Sequence, residues 1–295
     1  MISQERIQRR QFIKMAGTST FALSPGLIGA TPSQSPLRIG LITDIHYADL
    51  PTAGTRHYRD SIEKVREAVK AFNTAAPDMV IFLGDLIDTG STVEKEYGHL
   101  ETIYRELSQL EMPIRFVLGN HCVWTLTKSE FLKGVRQKRS FDAIELKGTR
   151  LVMLDACHRK DGVSYGRQNY VWTDTEIPKN QRDWLRTTLS ESSQPTLVFV
   201  HQRLDVEGNH GVHSAPEVRR ILEKSGQVAA VFQGHSHDND HRQIKGSHYL
   251  TMRAVIEGPA SQHNAYALLE FDPAGGRMTI DGRRDQKDYQ WMPPA

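Results

Sequence analysis

LRIGLITDIHYADL, residues 37–50, opens with an apolar run and breaks at Asp44-Ile45-His46. A run of that length reads as a buried strand, and the residues just past it are a carboxylate and an imidazole. The same junction recurs along the chain. DMVIFLG (78–84) runs into Asp85, IRFVLG (114–119) into Asn120-His121, TLVFV (196–200) into His201, and VAAVFQG (228–234) into His235-Ser236-His237. Most strands end in something polar, so one such junction says little. Five that deliver only carboxylate, amide or imidazole groups are hard to assign to turn formation, because those are the ligand types of hard to intermediate divalent metals. In α/β sheets the C-terminal strand edge is where ligands bind.

Between these strands the apolar spacing changes. Ile62, Val65, Ala68, Val69 and Phe72 recur at helical intervals and predict a helix over 59–73. Further helices are expected over 93–110 and 178–189, the latter with Trp184, Leu185 and Leu189 inward and Pro178 in its first turn. FDAIEL (141–146) and TRLVMLD (149–155) read as neighbouring, paired strands, and HYLTM (248–252) and AYALLEF (265–271) add to a strand-rich second half. Short buried strands alternating with helices predict an α/β fold. The mixed strand order of the second half predicts two sheets rather than one. With no repeat or internal linker, 37–295 reads as a single domain.

Charge narrows the partners. The formal net charge is +2, of which residues 1–30 contribute +3, leaving −1 for the rest. A body so near neutral lacks the basic field that nucleic-acid binding needs, and nucleic acid is not an expected partner. The basic start reads as a targeting segment. Arg9-Arg10-Gln11-Phe12-Ile13-Lys14 fits the bacterial twin-arginine export pattern, R-R-x-F-[LI]-K, with an amphipathic helix as the plainer alternative. The apolar stretch at 15–28 is too short and too interrupted to span a bilayer. The first cysteine is Cys122, which argues against a lipid anchor. The expectation is an export signal at 1–30, a linker at 31–36, contact with export machinery, no stable membrane anchor, and a periplasmic or extracellular location.

Taken together, D-x-H at 44–46, G-D-x-x-D at 84–88, G-N-H at 119–121, the lone His201 and G-H-x-H at 234–237 resemble the signature of the calcineurin-like metallophosphoesterases, complete and in order. The resemblance implies a four-layer α/β/β/α sandwich with two mixed sheets and a centre of two divalent ions (manganese, iron or zinc). It implies that Asp44, His46 and His237 hold one ion, that Asn120, His201 and His235 hold the other, and that Asp85 bridges them. A small phosphorylated substrate would be attacked in line by metal-activated hydroxide, with His121 protonating or stabilising the leaving oxygen. Singly, these residues have plainer readings: Asp44 as a helix cap, Asn120 as a turn residue, the 235–237 segment as a solvated loop. Asp88 is expected to support the loop rather than to bind metal.

DIHYADLPTAGTRHYRDS (44–61), GHSHDND and RAVIEGPASQHNAYALLEF resemble, more narrowly, the manganese-dependent ADP-ribose/CDP-alcohol diphosphatase group. That implies hydrolysis of a phosphodiester or pyrophosphate bond in a nucleotide-diphosphate-like substrate. Arg56 and Arg59 are then natural partners for a second phosphate, with surface charge as their plainer reading. His210, in the loop after the His201 strand, is expected to reach the cleft. Phosphomonoester hydrolysis and a non-catalytic binding role are the alternatives. A purple-acid-phosphatase site is disfavoured, since its tyrosine position holds Asp88 and its D-x-G glycine position holds His46. Cys122 stands where that group has an acidic residue that would orient the histidine, so His121 is expected to lack a carboxylate partner and Cys122→Asp to supply one. Pairing of Cys122 with Cys157 stays open.

Overall fold

The alternation at the start of the chain becomes β1 (Leu37–Ile42), whose Leu37, Ile39 and Leu41 point to one side and whose Ile42 points to the other. The computed structural model describes residues 35–292, so the expected export signal lies outside the described residues. After β1 come α1 (Ser61–Ala75), β2 (Met79–Phe82), α2 (Val93–Leu107), β3 (Ile114–Phe116), a 3-10 turn (His121–Val123) and α3 (Lys128–Gly134). The chain continues through β4 (Asp142–Leu146), β5 (Thr149–Met153), α4 (Lys179–Ser190), β6 (Thr196–Phe199), α5 (Ala215–Ser225) and β7 (Val228–Gln233). It ends with β8 (Asp240–Ile244), β9 (Ser247–Thr251), β10 (Ala265–Phe271), β11 (Met278–Arg284) and β12 (Tyr289–Trp291).

The strands form two six-stranded mixed sheets, ordered β12-β11-β10-β1-β2-β3 and β4-β5-β6-β7-β9-β8. Period-two alternation assigns each face. In β2, Met79 and Ile81 join the apolar cluster that also takes Leu197, Phe199 and Phe232 from the second sheet, so the two sheets pack face to face. Val80 and Phe82 turn the other way, onto Val65, Phe72, Leu100 and Ile103 of α1 and α2. Val198 and Val231 likewise turn onto Leu185, Leu189, Val218 and Leu222 of α4 and α5. Three apolar interfaces therefore separate four layers, and the α/β/β/α sandwich is as expected. β4 pairs with β5 as expected, and the pairing is antiparallel.

The differences are α3, α5, β11 and β12, which the sequence reading does not anticipate, together with several element bounds. The second helix stops at Leu107, and Pro178 caps α4 from outside rather than entering its first turn. β8 was not legible as a strand because DHRQI is an edge strand with little buried apolar surface. Among the described residues no helix is long and apolar enough to cross a membrane.

What matters for the site is direction. β1, β2 and β3 run parallel, as do β5, β6 and β7, so the C-terminal ends of each set lie on one edge. Loop hydrogen bonds tie these ends together: Asp44 N donates to Gly84 O (3.1 Å), His46 N to Asp85 O (2.9 Å) and Gly234 N to His201 O (3.0 Å).

Candidate metal centre

Five of the seven ligand-type residues leave their strands through an unusual backbone turn. Asp44, His46, Asp85, His235 and His237 all have φ between 48° and 73°. The left-handed region costs a non-glycine residue roughly 1 kcal/mol, so such clustering marks a site where side-chain direction is held against local preference. The glycines of the motifs serve close approach. A Cβ on Gly119 would overlap the Asp85 carboxylate, and one on Gly234 would overlap Thr43 and Asp44.

The turns converge three donor sets: Asp44 with His46 and His237, His46 with Asp85 and His121, and Asp85 with His201 and His235. Asp44 Oδ1 lies 3.6 Å from His46 Nε2 and 3.4 Å from His237 Nε2, and the two imidazole nitrogens are 3.2 Å apart. Donors bound at about 2.0–2.2 Å to one ion stand at such separations from each other. Asp85 Oδ2 is 3.5 Å from His46 Nε2 and 3.1 Å from His201 Nε2, which puts this one carboxylate between the sets. His201 Nε2, His235 Nε2 and Asn120 Oδ1 are buried without a hydrogen-bond partner, the Asp85 contact lacking the geometry for one. Buried polar atoms left unpaired are costly, and the two imidazole nitrogens, grouped with Asp85, fit a cation. The donor chemistry and the unpaired atoms both match a two-ion centre.

Around the donors sits a ring of orienting contacts. His201 Nδ1 faces Leu83 O (2.8 Å), His46 Nδ1 faces Asp88 Oδ2 (3.0 Å) and His237 Nδ1 faces Glu257 Oε1 (2.6 Å), leaving each Nε2 for the centre. Burial opposes protonation of His237, but its bonds to Asp44 and Glu257 outweigh this and raise its pKa to about 9. A cation binding here displaces that proton. Glu257 lies in the RAVIEGPASQHNAYALLEF stretch, where nothing in the sequence marks it as a partner of His237. The loop that carries it is pinned by the buried Lys64, whose Nζ donates to Val255 O, Glu257 O and Gly258 O.

His121 is only partly buried, and its Nδ1 faces Asp88 Oδ1 at 3.2 Å. The expectation that it lacks a carboxylate partner is therefore corrected: Asp88 holds His46 with one oxygen and His121 with the other. Burial would raise the pKa of Asp88, but the pairs with His121 and His46 hold it well below the usual carboxylate range. Asp88→Asn is expected to weaken metal binding about 10- to 100-fold and to lower kcat as well, because an amide cannot serve both imidazoles as acceptor. Metal titration and kinetics at saturating metal separate the two effects, and an unchanged Kd removes Asp88 from the orienting ring.

Cys122 points away from this chemistry. It is fully buried in the apolar layer between the first sheet and its helices, and its Sγ accepts from Leu86 N at 3.4 Å. Burial and the nearby Asp85 push its pKa up to about 12. Cys157 is also buried, and both cysteines are free. Cys122→Asp is thus expected to cost about 3 kcal/mol or more of stability by burying an unpaired charge, visible as a large fall in Tm. A Tm within a few degrees of wild type contradicts this placement.

The substrate candidates divide. Arg56 reaches the cluster, with Nη1 3.4 Å from Asp88 Oδ2. Arg59 does not: its Nε pairs with Asp49 Oδ1 at 2.6 Å on the exposed surface. His210 does arrive, its ring 5.4 Å from that of His235, and Trp172 lies 5.6 Å from the same ring. Trp172 carried no sequence signal, because it sits in an irregular loop.

The calcineurin-like phosphoesterase pattern matches residues 37–239, which span all of these motifs. The chain belongs to this family. It is 23% identical over 301 residues to a manganese-dependent ADP-ribose/CDP-alcohol diphosphatase of Oryza sativa, covering 85% of this chain and 93% of the relative. It is 27% identical over 211 residues to a probable cyclic nucleotide phosphodiesterase of Synechococcus, covering 68% and 73%. A dimetal phosphatase from Danio rerio superposes with a TM-score of 0.76 at 22% identity, covering 88% of this chain and 99% of that one. This calcineurin-like protein is a metal-dependent hydrolase of phosphoester or phosphoanhydride bonds.

Proposed function

We propose that the enzyme cleaves a phosphodiester or pyrophosphate bond in a small nucleotide-diphosphate-like substrate. The observation that carries the reading is Asp85, whose Oδ2 stands between two donor sets. Asp44, His46 and His237 would hold one ion, Asn120, His201 and His235 the other, and Asp85 both. Ions bound there supply Lewis-acid stabilisation of phosphate charge and a water acidic enough to act as nucleophile near neutral pH. The protein's own parts do the rest. Asp88 and Glu257 fix imidazole direction, and His121 stands at the edge of the donor set to give a proton to the departing oxygen. Arg56, a guanidinium at the rim beside Asp88, suits a second phosphate group. The names of the diphosphatase and cyclic nucleotide phosphodiesterase relatives support diester or anhydride cleavage over monoester cleavage.

The test is a substrate panel on the manganese-loaded protein: ADP-ribose, a CDP-alcohol, cyclic nucleotides, simple diesters and simple monoesters. Turnover of diesters or pyrophosphates that chelation stops and manganese restores is the expected result. Turnover of monoesters alone overturns it.

The proposal extends to location, on the Arg9-Arg10 pattern. Replacing both arginines with lysine is expected to keep the chain in the cytoplasm of the producing bacterium. Unchanged fractionation of that variant contradicts export by this route.

A further inference from the structure

One cavity opens directly off the donor cluster. It measures about 350 Å³ and is lined by Thr89, Asn120, His121, Trp124, Tyr170 and Trp172, with Val171 at its lip. Two of its members are large apolar side chains left in solvent, Val171 at 63% and Trp172 at 40% exposure. Solvent-exposed tryptophan beside a charged, ligand-rich centre is costly to keep unless something covers it. The neighbouring rings do not. His210 is tilted against Trp172 at 51° and His235 meets it edge-on at 63°, so neither stacks on its face. Trp124 stands edge-on to Tyr170, which stacks in turn on the buried Tyr165 and whose hydroxyl donates to Asn120 O. The wall is thus braced from behind.

The lining selects the occupant. Apart from His121 and the phenol of Tyr170, whose hydroxyl is already bonded to Asn120 O, it has no ionisable group, so it offers little to a second phosphate, and its polar atoms are too few for a sugar's hydroxyls. The guanidinium that suits phosphate is not in the lining: Arg56 pairs with Asp88, behind His46 and His121, whereas Trp172 flanks His235. A flat ring fits both the size and the surface. Aromatic side chains hold nucleobases by stacking, which tolerates any base because every base has a π-face.

We infer that this cavity is a stacking subsite, with Trp172 as its platform, for a planar aromatic ring of the substrate. His121 lines it, so the ring belongs to the half that departs with the His121 proton. The inference rests on the function proposed above and deepens it: the substrate carries a nucleobase or similar ring on its leaving side.

The experiment compares kcat/KM for a nucleoside diphosphate ester with that for a dialkyl pyrophosphate lacking any ring, in wild type, Trp172→Ala and Trp172→Phe. Trp172→Ala is expected to lower the ratio of ring-bearing to ring-free kcat/KM by about 5- to 100-fold, and Trp172→Phe to restore most of it. A ratio unchanged in Trp172→Ala, whether both values fall or neither does, overturns the subsite, because Trp172 would then act only through His235 and His210. Binding gives a reading independent of turnover. Nucleoside monophosphate is expected to quench the tryptophan fluorescence of the manganese-loaded protein, and to do so less in Trp172→Ala. If wild type hydrolyses neither substrate, the proposed function fails and the subsite is decided by this quenching, whose absence overturns it.

Discussion

Asp85→Asn is expected to lose both metal ions and essentially all turnover while keeping its fold. The carboxylate reaches toward His46 on one side and His201 on the other, and it shares a donor set with each. An amide oxygen is a neutral, weaker ligand that cannot bridge two cations, and its removal of one negative charge leaves the centre under-compensated. The choice of asparagine matters. Asp85 has φ 48°, a conformation asparagine tolerates and alanine does not, and its Oδ1 accepts from His121 N at 2.8 Å. Asp85→Ala should lose the ions too, with an added strain of roughly 1 kcal/mol and a loosened 119–121 turn. Elemental analysis of both variants, set beside their Tm values, gives the answer. Retention of both ions by either protein contradicts the bridging assignment.

His121→Ala is expected to behave differently, cutting turnover by about two to four orders of magnitude with metal content intact. Its Nδ1 faces Asp88, its ring meets His46 edge-on at 4.6 Å between centroids, and it is more exposed than the other imidazoles of the cluster. A group held this way, with Nε2 free toward the cleft, suits proton delivery to a leaving oxygen. The loss should therefore shrink for an ester of p-nitrophenol, whose anion departs without a proton. His46, Asp85 and His121 also lie close enough together to share an ion. Loss of metal in His121→Ala, or an equal rate loss for good and poor leaving groups, makes it a ligand and removes the acid role.

The seven candidate donors were legible because each follows a buried strand, and strand ends are among the strongest local patterns in a sequence. Mixed strand order predicted the two sheets, and the family resemblance implied the four layers. What stayed hidden depends on contacts between distant segments. Asp88 serves His46 and His121, 42 and 33 residues away. Glu257 serves His237 from across another loop, and Lys64 fixes that loop from nearly 200 residues upstream. Arg59 shows the converse error, since a charged residue near a motif in sequence was drawn off by Asp49.

Cys122 marks the boundary between the two kinds of knowledge. By itself the sequence determined that GNHC sits at a strand end inside a phosphoesterase signature, and it marked the candidate donors, because strand direction and ligand chemistry are written locally. Only the tertiary structure decided that the thiol turns into the core and accepts from Leu86, that Asp88 takes the place of the missing acidic neighbour, and that Trp172 stands beside His235. Side-chain direction in a loop beyond a strand end depends on what the rest of the fold has packed around it, and that information is spread over the whole chain.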